Sequence, residues 1–200
     1  VSGASIVDKY VLCHFNGVAQ EAPLVSSAVD RELVRVGGAN NVVVALENFK
    51  VLRRALLTEE LYPLENWLSI KTRVMCEDKM VARYDNDKFI TPVITNPIME
   101  AIQDASVVGI SDYGKGAIGS WLSRVELDRS VPVIIDPHIT NMIYSTSLAA
   151  WMGKHNVIMA PNMEEATKMS MLRVEGTSSL QYAAPVFGSN YGVSKLFITH

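Results

Sequence analysis

The second half of the chain is laid out as short apolar runs separated by amphipathic stretches. The runs at 107–111, 131–136, 157–160 and 195–200 are apolar through their centres and do not alternate with polar residues. Ile98, Met99, Ile102 and Ala105 recur at helical spacing before the first run, as do Ile118, Leu122 and Val125 after it. Apolar strands alternating with helices predict a parallel sheet covered on both faces. The first half has a different texture. Residues 6–12 have strand composition, 31–36 alternate polar and apolar positions, and Pro23 keeps 21–25 extended. A helix is predicted over 42–49, and Leu52, Leu56, Leu57, Leu61 and Leu64 give a second helical stripe within 53–67. Residues 69–75 and 80–85 then predict a hairpin turning at 77–79.

This pattern decides where polar groups can meet. Successive parallel strands bring Asp112, Asp136 and Asn162 to one edge of the sheet, the edge at which open α/β sheets bind ligands. Asp112, Tyr113 and Lys115 stand among glycines at the end of the first strand, which suits a small-molecule site; a plain polar turn has the same composition. Gly37, Gly38, Ala39, Asn40 and Asn41 precede a helix, so free amides there suit an anion or a polyol, unless Asn40 or Asn41 simply caps the turn. Asp8 and Tyr10 share a strand face, as do Lys71, Arg73, Arg83 and Asp85 on the hairpin. The basic set could hold a phosphorylated substrate, and a solvated hairpin face would carry the same residues. Asn162 with Glu165 fits either a capping box or a pair that holds a hydrated Mg²⁺.

Composition narrows the classes. Two hundred residues, 48% hydrophobic and 20% charged, suffice for one domain over 1–200 with a sizeable core. A net charge of -3 leaves no basic footprint for nucleic acid, and no apolar run is long enough to span a membrane. The first residues lack the pattern of a signal peptide, and Cys13 and Cys76 lack metal-ligand spacing, so reduced thiols in a cytoplasmic protein are expected.

Eight short segments then occur in one order: Asp8-Lys9-Tyr10, Glu21-Ala22-Pro23, Gly37 to Asn41, Lys71-Thr72-Arg73, Arg83-Tyr84-Asp85, Ser111 to Gly116, Asp136-Pro137 and Pro161 to Glu165. In that order they resemble the amino-terminal and central parts of the ribokinase-like carbohydrate kinases, closest to the heptose-7-phosphate kinases of ADP-heptose synthesis. The resemblance implies an α/β three-layer sandwich with a mostly parallel sheet, truncated at the carboxyl end. It also implies a small β-sheet lid from about 6–36 and 69–85, through which two subunits pair. The implied activity is ATP-dependent phosphorylation of a sugar phosphate with Mg²⁺. Asp8, Gly37, Gly38, Asn41, Lys71 and Arg83 would face the sugar or its phosphate. Asp112 and Lys115 would lie toward the transfer centre, and Asn162 and Glu165 toward the nucleotide, with Glu165 on the metal.

The sequence also departs from that family. It carries no Gly-Ala-Gly-Asp segment, which in the family supplies the anion hole and the base, so no catalytic residue is assigned within the chain. Ala4 stands where the family has aspartate and His138 where it has lysine. The interval from Asn41 to Lys71 is short for the family, which predicts loss of a core strand and helix. Three readings follow: an incomplete sugar kinase, a degenerate homologue that binds a sugar phosphate or serves as a structural module without turnover, and a nucleotide-binding regulator with no sugar ligand, which the lack of a Walker-type phosphate loop disfavours.

Overall fold

The chain begins in one sheet and leaves it almost at once for another. In the computed structural model, which describes residues 1–21, 23–50, 56–57, 68–89, 96–116, 121–140 and 146–199, β1 (Ser2–Gly3) is followed directly by the long β2 (Ser5–Val18). Next come β3 (Val25–Gly38), α1 (Ala39–Asn48), β4 (Leu56–Leu57), β5 (Ser69–Cys76) and β6 (Lys79–Asn86). The second half contains α2 (Asn96–Gln103), β7 (Val108–Ser111), a 3-10 turn (Leu122–Arg124), β8 (Pro132–Asp136), α3 (Thr146–Met152), β9 (Asn156–Met159), α4 (Met163–Ser170), α5 (Thr177–Tyr191) and β10 (Lys195–Leu196).

Two sheets result. The larger has the order β10-β9-β8-β7-β1-β4, and all its pairings are parallel. The smaller has the order β3-β2-β5-β6, antiparallel at both outer pairings and parallel between β2 and β5. This second sheet is built from the segments expected to supply a lid, and takes that name below. Its hairpin turns at Glu77 and Asp78, both with positive φ (47° and 65°), the backbone that lets two residues join twisted strands. Lys79 belongs to the strand that follows.

Several expectations need correction. Leu56 and Leu57 form a short strand beside β1, not part of a helical stripe, so a core strand is present between Asn41 and Lys71. Leu52, Leu61 and Leu64 lie outside the described residues, as do Ala22, Ile118 and His200. Where a helix was predicted around Leu122 and Val125, the described residues make one 3-10 turn and Val125 is extended. Beyond β10 the last predicted strand continues as a single bridge, Asn162 to Thr199. The sheet's faces are also unequally covered. Val133, Ile135, Val157 and Met159 are fully buried, whereas Ile134 between them is 44% exposed. The deep core lies on the first side, where these residues cluster with Leu122, Val125, Trp151, Met152, Ala183 and Phe187. No helix among the described residues is long and apolar enough to cross a membrane.

One buried polar knot secures the core. His155 is 7% exposed and stacks on Trp151 with ring centroids 4.3 Å apart. Its Nδ1 lies 2.7 Å from the Trp151 carbonyl, which can only accept, while Nε2 accepts from the Leu127 amide at 3.3 Å. The imidazole is therefore neutral, with its proton on Nδ1. Trp151 in turn donates from Nε1 to the Val125 carbonyl at 2.6 Å. Replacing His155 with Ala removes the ring and strands both a carbonyl and an amide, so unfolding in urea should show a loss of about 2–4 kcal/mol. A loss below about 1 kcal/mol would mean that water satisfies both groups.

Candidate functional site

Parallel pairing brings polar strand ends together. Ser111 is the register partner of Asp136, the Asp112 amide donates to the Asp136 carbonyl at 2.9 Å, and the Ala160 amide donates to the Ile135 carbonyl at 2.8 Å. Asp112, Asp136 and Asn162 thus stand along one edge, as the strand pattern predicts. Asp112 is buried, and its Oδ1 accepts from the Gly114 amide at 2.8 Å, which shapes the loop that carries Tyr113 and Lys115. The His138 ring closes against Gly114 from the end of β8.

Asn162 caps α4 in a reciprocal box. Its Oδ1 accepts from the Glu165 amide, and the Glu165 carboxylate accepts from the Asn162 amide, both at 2.9 Å. Capping and ligand binding do not exclude each other, because each carboxylate or amide oxygen has a second lone pair. The electrostatics of the edge show that negative charge converges there. The Asp136 carboxyl is pushed up to about 6, first by desolvation, then by the charge of Glu165, with Asp112 adding to it. A 3.4 Å hydrogen bond from Ser111 works in the opposite direction. Among the described residues no three ligating side chains are close enough to cage a metal ion. Carboxylates spaced in this way suit a cation that keeps its waters, as Mg²⁺ does.

The lid turns a charged face toward this edge. Register places Arg35, Asp8, Lys71 and Asp85 in one row across its four strands, so the charge alternates from strand to strand. The next row is Leu33, Tyr10, Arg73 and Arg83. Arg73 donates to Asp8 Oδ1 at 2.5 Å and lies over the Tyr10 ring, 5.3 Å from its centroid. Arg83 grips Asp85 with two hydrogen bonds, of 2.9 and 2.7 Å, which hold the Asp85 carboxyl below its ordinary range. Lys71 lies 5.6 Å from the centre of the Tyr113 ring, which joins the lid to the strand-end loop. Burial, with Asp136 and Asp8 nearby, raises the Tyr113 phenol.

Gly37 and Gly38 are required for different reasons. A Cβ on Gly37 would collide with the Asp8 carboxylate, so the missing side chain is what lets Asp8 sit there. Gly38 has φ of 63° and abuts the Ala4 carbonyl. It is also the residue that caps α1, with no side-chain bond, so neither Asn40 nor Asn41 caps that turn. Asn40 instead donates to the Ser5 hydroxyl at 3.0 Å, and Asn41 lies exposed in the first turn. Asp8, Gly37, Lys71 and Arg83 are thus assembled on one face, and Asp112, Asn162 and Glu165 on one edge. Lys115 is drawn aside: it is ion-paired with Asp87 at the lid's exit and lies over Phe89, 5.4 Å from the ring centre. Two members of the site were placed by the sequence without their partners. Arg73 was legible as a lid-face cation but not as the partner of Asp8, and Asp136 as an edge carboxylate but not as the most perturbed one.

The comparisons bear on this arrangement. No protein-family model matches the chain. By overall shape it is similar to Arabidopsis thaliana ribokinase complexed with ribose and ATP, with a TM-score of 0.66 over 98% of this chain and 69% of that one, at 13% identity. The fold is that of the ribokinase-like carbohydrate kinases. Its sequence is 27% identical to the bifunctional protein HldE of Campylobacter curvus over 92% of the chain, and 29% identical to that of Citrifermentans bemidjiense over 100%. The chain is a distant homologue of these proteins and spans 44% and 46% of their lengths.

Within this ribokinase-like edge Asp136 makes a signed prediction. Its folded value lies above the ordinary 3.8, so the native state holds this proton more tightly than the unfolded chain does. The associated stability is complete below about pH 4 and is lost as pH rises through about 6. Asp136→Asn should therefore stabilise the protein at pH 7 by about 1 kcal/mol, allowing for solvent screening at an exposed residue, and leave it unchanged near pH 4. Equal effects at both pH values would show that folding does not raise the Asp136 carboxyl.

Proposed function

We propose that the chain binds a sugar phosphate between lid and sheet edge as part of an ATP-dependent sugar kinase, of the kind that phosphorylates D-glycero-D-manno-heptose 7-phosphate. One observation carries this reading. The two inward rows of the lid hold four cations, Arg35, Lys71, Arg73 and Arg83, against two carboxylates, Asp8 and Asp85, opposite an edge rich in carboxylates. A surplus of positive charge suits a phosphorylated substrate, and the opposing carboxylates suit the metal that accompanies a nucleotide.

In this reading Asp8 accepts from sugar hydroxyls, with Gly37 and Gly38 leaving the backbone within reach and Asn41 on the first turn of α1. Lys71 and Arg83 face the phosphate already on the sugar. Asp112 and Lys115 lie toward the transfer centre, Lys115 after exchanging Asp87 for the anionic ligand. Asn162 and Glu165, with Asp136 beside them, hold ATP and a hydrated Mg²⁺, which when bound neutralises charge on the transferred phosphoryl group. Phosphoryl transfer relies mainly on position and charge, so much of what it needs is built from these groups. None of them is assigned as the base. That gap keeps a second reading in place, a binding module of the same ligand specificity without turnover.

Thermal-shift titration with heptose 7-phosphate, and separately with Mg-ATP, tests the reading. A hundredfold excess over Kd should stabilise the chain by about 2.7 kcal/mol. Asp8→Asn and Arg83→Ala should each weaken sugar-phosphate affinity about 10-fold or more, since each removes a charged hydrogen-bonding partner. No shift with any sugar phosphate would sink the proposal, and binding without ADP formation would select the module.

The lid is also proposed to pair two copies of the chain. Its outward face, opposite Asp8, exposes Phe15, Val29, Val34, Val36 and Tyr84, each more than half exposed. These side chains flank the Lys9–Glu32 ion pair, and this many exposed apolar residues on one sheet face are ordinarily covered. Sedimentation should show a dimer that Val34→Asp converts to monomer with its fold intact, and a wild-type chain that sediments as a monomer would refute the pairing.

A further inference from the structure

Cys13 and Cys76 are register partners on the two central lid strands, β2 and β5. Both are free thiols, on the outward face opposite Asp8 and Lys71. Neighbouring strands lie about 4.7–4.9 Å apart, inside the range of about 4.4–6.8 Å over which Cα atoms are bridged by a disulfide. The backbone is irregular at this point on both sides. Pairing of β2 with β3 slips between Leu12 and Cys13, and pairing of β5 with β6 slips between Val74 and Met75. Such bulges bend a strand locally, so the two Cβ atoms can close without disturbing the regular ladder beyond them. Cys76 is half-buried and ends β5; Cys13 is 8% exposed, and its thiol points at the Val11 carbonyl, 3.8 Å away.

We propose that Cys13 and Cys76 form a reactive dithiol, which a low-molecular-weight disulfide converts to an intrachain cross-link between β2 and β5. The Cys76 thiolate, the more accessible, attacks one sulfur of the disulfide. The S–S bond breaks, a mixed disulfide forms and the first small thiolate leaves, taking up a proton. The Cys13 thiolate then attacks Cys76 Sγ and expels the second small thiolate. The protein loses two protons and two electrons, which the small disulfide takes up in becoming two thiols. The cross-link ties the strand bearing Asp8 and Tyr10 to the strand bearing Lys71 and Arg73, from the face that does not carry them. It would lock the register on which the Asp8–Arg73 pair depends. This inference does not rest on the kinase reading.

The test is oxidation by oxidised glutathione of the chain diluted until it sediments as a monomer, because pairing through the outward face, on which Cys13 is the register partner of Val29, would cover both thiols. Intact mass should fall by two hydrogens, and a Cys13–Cys76 peptide should appear on non-reducing digestion. The unfolding midpoint should rise by several degrees, and dithiothreitol should reverse all three changes. Cys13→Ser should instead halt at a stable glutathione adduct on Cys76. Three results would overturn the proposal: a persistent adduct on the wild-type chain, a disulfide between chains, or thiols that react only after unfolding.

Discussion

The architecture turns on the place where the lid joins the core. The chain leaves the parallel sheet at Ala4 and returns at Gly38 and Ala39, and the Ala39 amide donates to the Ala4 carbonyl at 3.0 Å. Ser5 is the register partner of Gly38, and a side chain at 38 would strike the Ala4 carbonyl. Outgoing and returning strands are therefore held at backbone contact distance. Because β2 springs from that junction, Asp8 lies within two turns of the pleat from the core, and its height above the sheet edge is set by the chain rather than by side-chain packing. Gly37 completes the arrangement by leaving room for the Asp8 carboxylate.

Two opposed charge distributions face each other across that junction. On the lid, cations and carboxylates alternate from strand to strand, so most are neutralised by a neighbour and the surplus is positive. On the edge, desolvation first and then the charges of Glu165 and Asp112 hold the Asp136 carboxyl above its ordinary value. Neither surface is at its electrostatic minimum alone. Tyr113 and Lys115 bridge them, the first under Lys71 and the second through Asp87, so lid and edge are already coupled through one loop. Residues in such an arrangement are costly for stability and useful for binding, the usual compromise at a functional site.

What could be read from residue order alone follows the physics of each element. The strands ending at Ser111, Asp136 and Met159 were legible because parallel strands covered by helices have continuous apolar runs. Asp8 with Tyr10, and Lys71 with Arg73, were legible as shared faces because a strand repeats every second residue. Long-range partners were not. Arg73 lies 65 positions from Asp8, and a parallel pairing has no hairpin turn to announce its register. Leu56 and Leu57 were misread because a strand of two residues has no period to detect, while leucines spaced by three and four suggest a helix. Gly37 carries an ordinary φ, so its requirement is invisible until Asp8 is placed beside it.

The strand order of the larger sheet carries a consequence for how the chain acquires its structure during synthesis. The first strand, β1, has β7 and β4 as its neighbours, and β7 is made more than a hundred residues later. On a ribosome the lid hairpin of β2 and β3, whose contacts are local, can close as soon as it emerges, whereas β1 waits first for β4 and then for β7. From β7 onward each new strand adds to the outer edge of the last, through β8 and β9 to β10. The nascent chain thus carries a preformed lid, and the core is laid down beneath it strand by strand.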